Sequence, residues 1–105
     1  ASVVNEESLY NLAMILKIDE CLLLGEGEEL QGLRYNKRIL ASALEAIIGA
    51  IYLDRGYDSV HGWLSEVFQS YMNEQFTEHD FAKDFKTRFQ EMAQEKWKVT
   101  PTYDV

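Results

Sequence analysis

Apolar positions recur every three to four residues along most of the chain, a period that predicts helices rather than a sheet. Leu9, Leu12, Ala13 and Leu16 stand at i, i+3, i+4 and i+7, giving one apolar face to a helix from about Glu6 to Leu16. Asn5 precedes it as an N-cap, and Glu6 and Glu7 put negative charge in the first turn, where the helix dipole favours it. Residues 21–24 form a short apolar run, read as a further helical turn or a loop anchor. Residues 25–36 hold three glycines and three glutamates, the composition of an exposed, mobile loop. A second helix is expected from about Lys37 to Leu53, closed by Asp54-Arg55-Gly56 with the glycine at its C-terminal cap. A third begins near Asp58, with Val60, Trp63, Leu64, Val67, Phe68, Tyr71 and Met72 at helical spacing. Residues 73–80 are polar and acidic and read as a linker. The last helix runs from Phe81 or Asp84 to Lys96, burying Phe85, Phe89 and Met92. After Pro101, which cannot continue a helix, Thr102, Tyr103, Asp104 and Val105 alternate as a strand would.

Composition fits one ordinary globular body: 105 residues, 47% hydrophobic and 27% charged. Cys21 is the sole cysteine, which excludes an internal disulfide and a cysteine-based zinc site and agrees with a reducing, cytoplasmic setting. Residues 1–7 have neither the basic start nor the apolar run of a signal peptide. The least polar stretch, residues 39–53, is too short and too interrupted to span a bilayer. The net charge of -8 speaks against a phosphate-binding partner, but its distribution is uneven. Residues 1–81 carry 5 basic and 14 acidic side chains, whereas residues 82–98 carry 5 basic and 3 acidic ones. An acidic body is followed by a mildly basic segment.

Glu45 is the only charge between Ile39 and Leu53, among the small residues Ala41, Ala43, Ala46, Gly49 and Ala50. Small residues admit close helix neighbours, so this helix is expected to be central. A carboxylate there must be paired, hydrogen-bonded or bound to a cation. Ser42, Glu45, Gly49 and Tyr52 share a stripe that could hold a hydrated divalent ion; a solvent-facing edge of the helix is the alternative. In the last helix Thr87, Gln90, Glu91 and Gln94 lie opposite the aromatic residues, with Lys86 and Arg88 beside them. Such a face suits the 2'-hydroxyls and base edges of an A-form minor groove, or simply water. His61 and His79 are too few and too separated for a zinc site or a catalytic triad and read as surface residues.

The run ILASALEAIIGAIYLD at residues 39–54 resembles the ribonuclease III segment S-I-L-A-D-x-x-E-A-L-I-G-A-I-Y-L-D-x-G of bacterial members. Val3-Val4-Asn5-Glu6 is similar to the family's L-V-x-E at a helix start, and Gly32-Leu33-Arg34 stands where many members have G-G-R. Residues 84–91, DFKTRFQE, with Pro101-Thr102-Tyr103, resemble D-Y-K-T-x-L-Q-E and P-x-Y at the entry to a double-stranded-RNA-binding domain. The resemblance implies an all-α endonuclease domain over residues 1–76, a linker at 77–83, and at 84–105 the first helix and strand of an α/β RNA-binding domain. It further implies a magnesium-dependent endonuclease that cuts double-stranded RNA in ribosomal and messenger RNA processing, with manganese able to substitute, acting as a homodimer in the complete protein and without a membrane. Glu45 would be the catalytic metal ligand, Ser42 would stand where most members carry a ligand aspartate, and Glu6 would sit near the cleft. Thr87, Gln90, Gln94 and Lys86 would face RNA. Arg38 replaces the serine usual before I-L. The family signature E-R-L-E-F-L-G-D-A, which supplies further carboxylates and part of the dimer contact, is not among these 105 residues, so the chain alone is expected to be inactive. A catalytically impaired RNA-binding or structural member of the same fold remains the alternative, favoured by Ser42.

Overall fold

Asn5 starts the first helix by a reciprocal cap: its side chain accepts from the Ser8 amide while Ser8 Oγ accepts from the Asn5 amide, each at 2.9 Å. The computed structural model describes residues 4–27, 31–69, 78–101 and 103. From that cap α1 runs over Glu6–Ile15, and two short 3-10 turns follow at Ile18–Cys21 and Leu33–Tyr35. Arg34 ties the turns together, donating from Nη1 to the carbonyls of Asp19 and Leu22 at 2.5 and 3.1 Å. Part of the expected loop is therefore ordered by one guanidinium. Asn36 caps α2, Lys37–Arg55, by accepting from the Ile39 amide at 3.1 Å.

Gly56, at φ 87 and ψ 175, ends α2 in a conformation that essentially only glycine adopts, and α3, Tyr57–Gln69, starts on the next residue. The final helix, α4, spans Glu78–Glu95. It begins earlier than the sequence reading placed it, and residues 78–83 are helix rather than linker. The reason is Phe81, which is buried one turn before Phe85 and anchors the acidic first turn. At the far end the chain reverses at Lys98, whose φ is 55, and Val99 donates to the Ala93 carbonyl at 2.9 Å. Among the described residues there is no strand. Of the expected strand only Tyr103 is described, and Thr102, Asp104 and Val105 lie outside the described residues.

α1 lies along α2, and one apolar core joins all four helices: Leu9 and Leu12 from α1, Leu40, Leu44 and Ile48 from α2, Val60, Leu64 and Phe68 from α3, and Phe81, Phe85, Phe89 and Met92 from α4. The helical period anticipated these faces. Tyr71 and Met72, expected on the α3 stripe, lie outside the described residues. Two expectations are corrected. α2 is central along only part of its surface: Ala41 and Gly49 are buried, whereas Ala46 and Ala50 face solvent beside Ile47 and Leu53. His61 is half-buried, its ring 5.6 to 5.9 Å from those of Phe81, Phe85 and Tyr57, so it packs rather than sitting free at the surface. The side chain of His79 is outside what is described. No described helix is long and apolar enough to cross a membrane.

Tyr57 sits within this aromatic cluster, and burial pushes its phenol from the usual 10.0 up to about 12, with Tyr103 and Asp58 adding to the rise. Tyr103 shifts the same way, by its own burial and the neighbouring Tyr52. Because the unfolded phenol ionises first, the folded state keeps this contribution below pH 10 and loses it as pH rises to about 12. Thermal unfolding followed by circular dichroism is expected to fall in midpoint across that window. Tyr57→Phe should flatten the fall, leaving the share due to Tyr103.

Candidate active site

Glu45 projects from the middle of α2 and is 2% exposed. Its two oxygens are both engaged: Oε2 accepts from Arg88 Nη2 at 2.8 Å and Oε1 from Lys96 Nζ at 2.5 Å. Both cations come from α4 or the turn after it, and they retain about a third (Arg88) and nearly half (Lys96) of their exposure. The carboxylate is thus desolvated while its partners still touch water. The Arg88 Nε is buried with no hydrogen-bond partner. Paired charges of this kind offset much of their desolvation but leave the arrangement incompletely satisfied.

The stripe that includes Ser42, Glu45, Gly49 and Tyr52 is covered from Glu45 onward by α4 and the turn that follows it. Gly49 meets the indole of Trp97, and a Cβ added there would lie 2.6 Å from Trp97 Cε2, so only glycine admits the ring in place. Tyr52 stacks on Trp97 at 6.5 Å and meets Phe89 edge-on at 5.0 Å. Ser42 is exposed and, together with Glu6, Arg38, Ala41, Glu45, Arg88 and Lys96, lines a cleft of about 290 Å³. Glu6 reaches it because the Asn5 cap fixes the first turn of α1 beside α2. The structure therefore gathers Glu6, Ser42 and Glu45 in one place.

Oxygen donors of this kind suit a hard divalent cation. Among the described residues, however, no group of three or more His, Cys, Asp or Glu converges on a metal position. With α4 docked, moreover, three cationic side chains line the cleft against two carboxylates. The donor chemistry fits such an ion only if Arg88 and Lys96 give Glu45 up.

Thr87, Gln90, Gln94 and Lys86 are exposed on the outer face of α4, opposite its aromatic side. Lys86 Nζ lies 4.8 Å over the Tyr103 ring, whose hydroxyl makes a long contact of 3.4 Å to Gln90 Oε1. Thr87 Oγ1 donates back to the Lys83 carbonyl at 3.2 Å. These polar residues stay apart from the Glu45 cleft. The sequence reading did not single out Lys96 or Trp97 and placed Arg88 beside the RNA face. A pattern for Arg88 and Lys96 was present. Arg88 follows Phe85 by three and Lys96 follows Met92 by four, which puts two cations on an apolar stripe that needs a carboxylate.

A family model described as Ribonuclease-III-like matches residues 1–73. The chain belongs to the ribonuclease III family. Curated relatives of this family match along almost its whole length. It is 42% identical to a Ribonuclease 3 of Syntrophobacter fumaroxidans over 98% of the chain and 44% of that protein. It is 40% identical to a Ribonuclease 3 of Bdellovibrio bacteriovorus over 100% of the chain and 45% of that protein. A Ribonuclease 3 of Oleidesulfovibrio alaskensis is 44% identical over 98% of the chain and 44% of its own length. The chain thus spans less than half the length of these ribonuclease III relatives. No solved structure matches it.

Proposed function

We propose that the complete protein is a magnesium-dependent endoribonuclease that hydrolyses phosphodiester bonds of double-stranded RNA. The observation that carries this reading is the desolvated carboxylate of Glu45 in a cleft that also contains Ser42 and Glu6, in a chain of the ribonuclease III family. Magnesium, with manganese as a substitute, would supply water activation and charge neutralisation at the phosphate. Glu45 would hold it, Ser42 would orient a water through its hydroxyl, and Glu6 would add charge at the mouth of the cleft. Thr87, Gln90, Gln94 and Lys86 face solvent on one side of α4, where sugar and phosphate groups of a duplex could reach them, which supports an RNA partner. A homodimer is supported by the exposed apolar stripe of α2, where Leu53 is 75% and Ile47 37% exposed. RNA processing in the cytoplasm is the corresponding cellular role.

A catalytically impaired RNA-binding protein is the second reading, and it is favoured by the serine at position 42. A magnesium titration of duplex cleavage by the complete protein separates the two. Cleavage is expected to need the ion and to stop on its removal by a chelator. Ser42→Asp adds a charged oxygen one turn from Glu45 and should lower the magnesium midpoint by about three- to tenfold, as one further carboxylate contact strengthens a hard-cation site. Cleavage appearing only in Ser42→Asp would establish the impaired reading.

A further inference from the structure

We infer that the cleft beside Glu45, with α4 seated, is a binding site for a phosphate group, gripped by Arg38, Lys96 and the hydroxyl of Ser42. Glu45 is its internal brace, the buried carboxylate that fixes Arg88 and Lys96 in the cleft wall. The inference goes beyond the metal reading and does not rest on it, since it needs neither a divalent ion nor any movement of α4.

Charge decides what the cleft takes. Arg38, Arg88 and Lys96 stand against Glu6 and Glu45, three cations to two carboxylates, so an entering anion is drawn in and an entering cation repelled. Glu45 is 2% exposed and both its oxygens are taken, by Arg88 at 2.8 Å and Lys96 at 2.5 Å, so its charge is already answered from within. Donors remain. An ammonium has three N–H groups and a guanidinium five, and each of these two side chains spends one of them on Glu45. Arg38 makes no ion pair and Ser42 Oγ no hydrogen bond among the described residues, and both residues are exposed. They stand at i and i+4 on the side of α2 that carries Glu45 three residues later, so their polar ends share one face.

Backbone and shape act in the same direction. Glu6 opens α1 and Arg38 lies in the first turn of α2, so the positive dipole ends of two helices border the cleft. Its volume of about 290 Å³ admits a phosphate group with water around it. A neighbouring hollow shares Arg88 but sets Asp84 and Glu91 against that one cation, so its balance is acidic and it does not suit an anion. The cations of the Glu45 cleft are also in place before any ligand arrives. Phe85 and Phe89 anchor the helix that carries Arg88, and Trp97 packs on Gly49 next to Lys96, so binding has little ordering to do.

The test titrates the 105-residue chain with inorganic phosphate at constant ionic strength, with a chelator present and no divalent ion, following backbone amides and arginine Nε–H groups by heteronuclear NMR. Saturable shifts are expected at Arg38, Ser42 and Arg88. Arg38→Gln should weaken binding about five- to tenfold, between the effect of an exposed ion pair and that of a full charge-assisted hydrogen bond. Glu6→Gln removes the exposed carboxylate of the cleft and should tighten binding about two- to fivefold. Arg55→Gln removes the same charge at the far end of α2, where Asp54 pairs with it, and should leave the affinity unchanged. Competition by dimethyl phosphate and a short RNA duplex assigns the site to a backbone phosphodiester. Absence of competition, with inorganic phosphate still bound, assigns it to a free phosphate, and both outcomes uphold the site. Shifts that fail to saturate, equal weakening by Arg38→Gln and Arg55→Gln, or weaker binding by Glu6→Gln would overturn the inference. Each of those results leaves the metal reading untouched, because no divalent ion takes part.

Discussion

Glu45→Gln in the complete protein is expected to abolish magnesium-dependent cleavage of double-stranded RNA while leaving duplex binding intact. Glutamine keeps the shape of the side chain and one acceptor oxygen but removes the charge that a divalent ion requires. A loss of about a hundredfold or more in turnover is the scale of removing charge stabilisation from a hydrolytic site. The fold should survive. Removing one member of a fully buried ion pair costs about 3–5 kcal/mol because the orphaned charge cannot recover its hydration. Here Arg88 and Lys96 are 33% and 45% exposed, so both can return to water. The stability cost should fall nearer that of a single hydrogen bond to a charged group, about 1.5–3 kcal/mol. Single-turnover cleavage, duplex binding by filter retention and a urea melt measure the three quantities separately. Undiminished cleavage would remove Glu45 from the catalytic site.

The largest stability effect is expected from Phe85→Ala. Phe85 is fully buried on α4, 5.5 Å from the Phe81 ring, 5.7 Å from Tyr57 and 5.8 Å from Phe89. Truncating a buried phenylalanine removes its transfer free energy and leaves a cavity, together about 3–5 kcal/mol. Against a total stability of about 5–15 kcal/mol for a domain, that is a large fraction. The midpoint of urea unfolding should fall sharply, while Lys86→Ala, on the exposed side of the same helix, should move it by less than about 0.5 kcal/mol. A small effect of Phe85→Ala would show that α4 contributes little to the core.

The helices could be read from the sequence because their determinants are local. Asn5 and Gly56 mark their ends by chemistry that acts within a few residues, and the spacing of Leu9, Leu12 and Ala13 or of Val60, Leu64 and Phe68 fixes which side is buried. The start of α4 was hidden because acidic residues before Phe81 resemble a linker until the phenylalanine has something to pack against. What each buried face meets is not local. Phe85 and Phe89 show only that one side of α4 is apolar, and the choice of α2 and α3 as its partner follows from tertiary packing. The isolation of Glu45 in an apolar run identified a residue that needs compensation, and its cleft position agrees. Whether the compensating charge is an ion or a side chain depends on residues 43 and 51 positions further on, beyond the range of any periodicity.

The joint at Gly56 has a consequence for the order in which the molecule assembles. With a single residue between α2 and α3, their pairing closes almost no loop and loses little chain entropy. The ion pairs of Glu45 instead bridge 43 and 51 residues, and that chain must already be drawn together before they contribute anything. The helical hairpin is therefore the pairing with the small entropic cost of closure, and the charge balance of the cleft is the one that depends on the rest of the chain being in place.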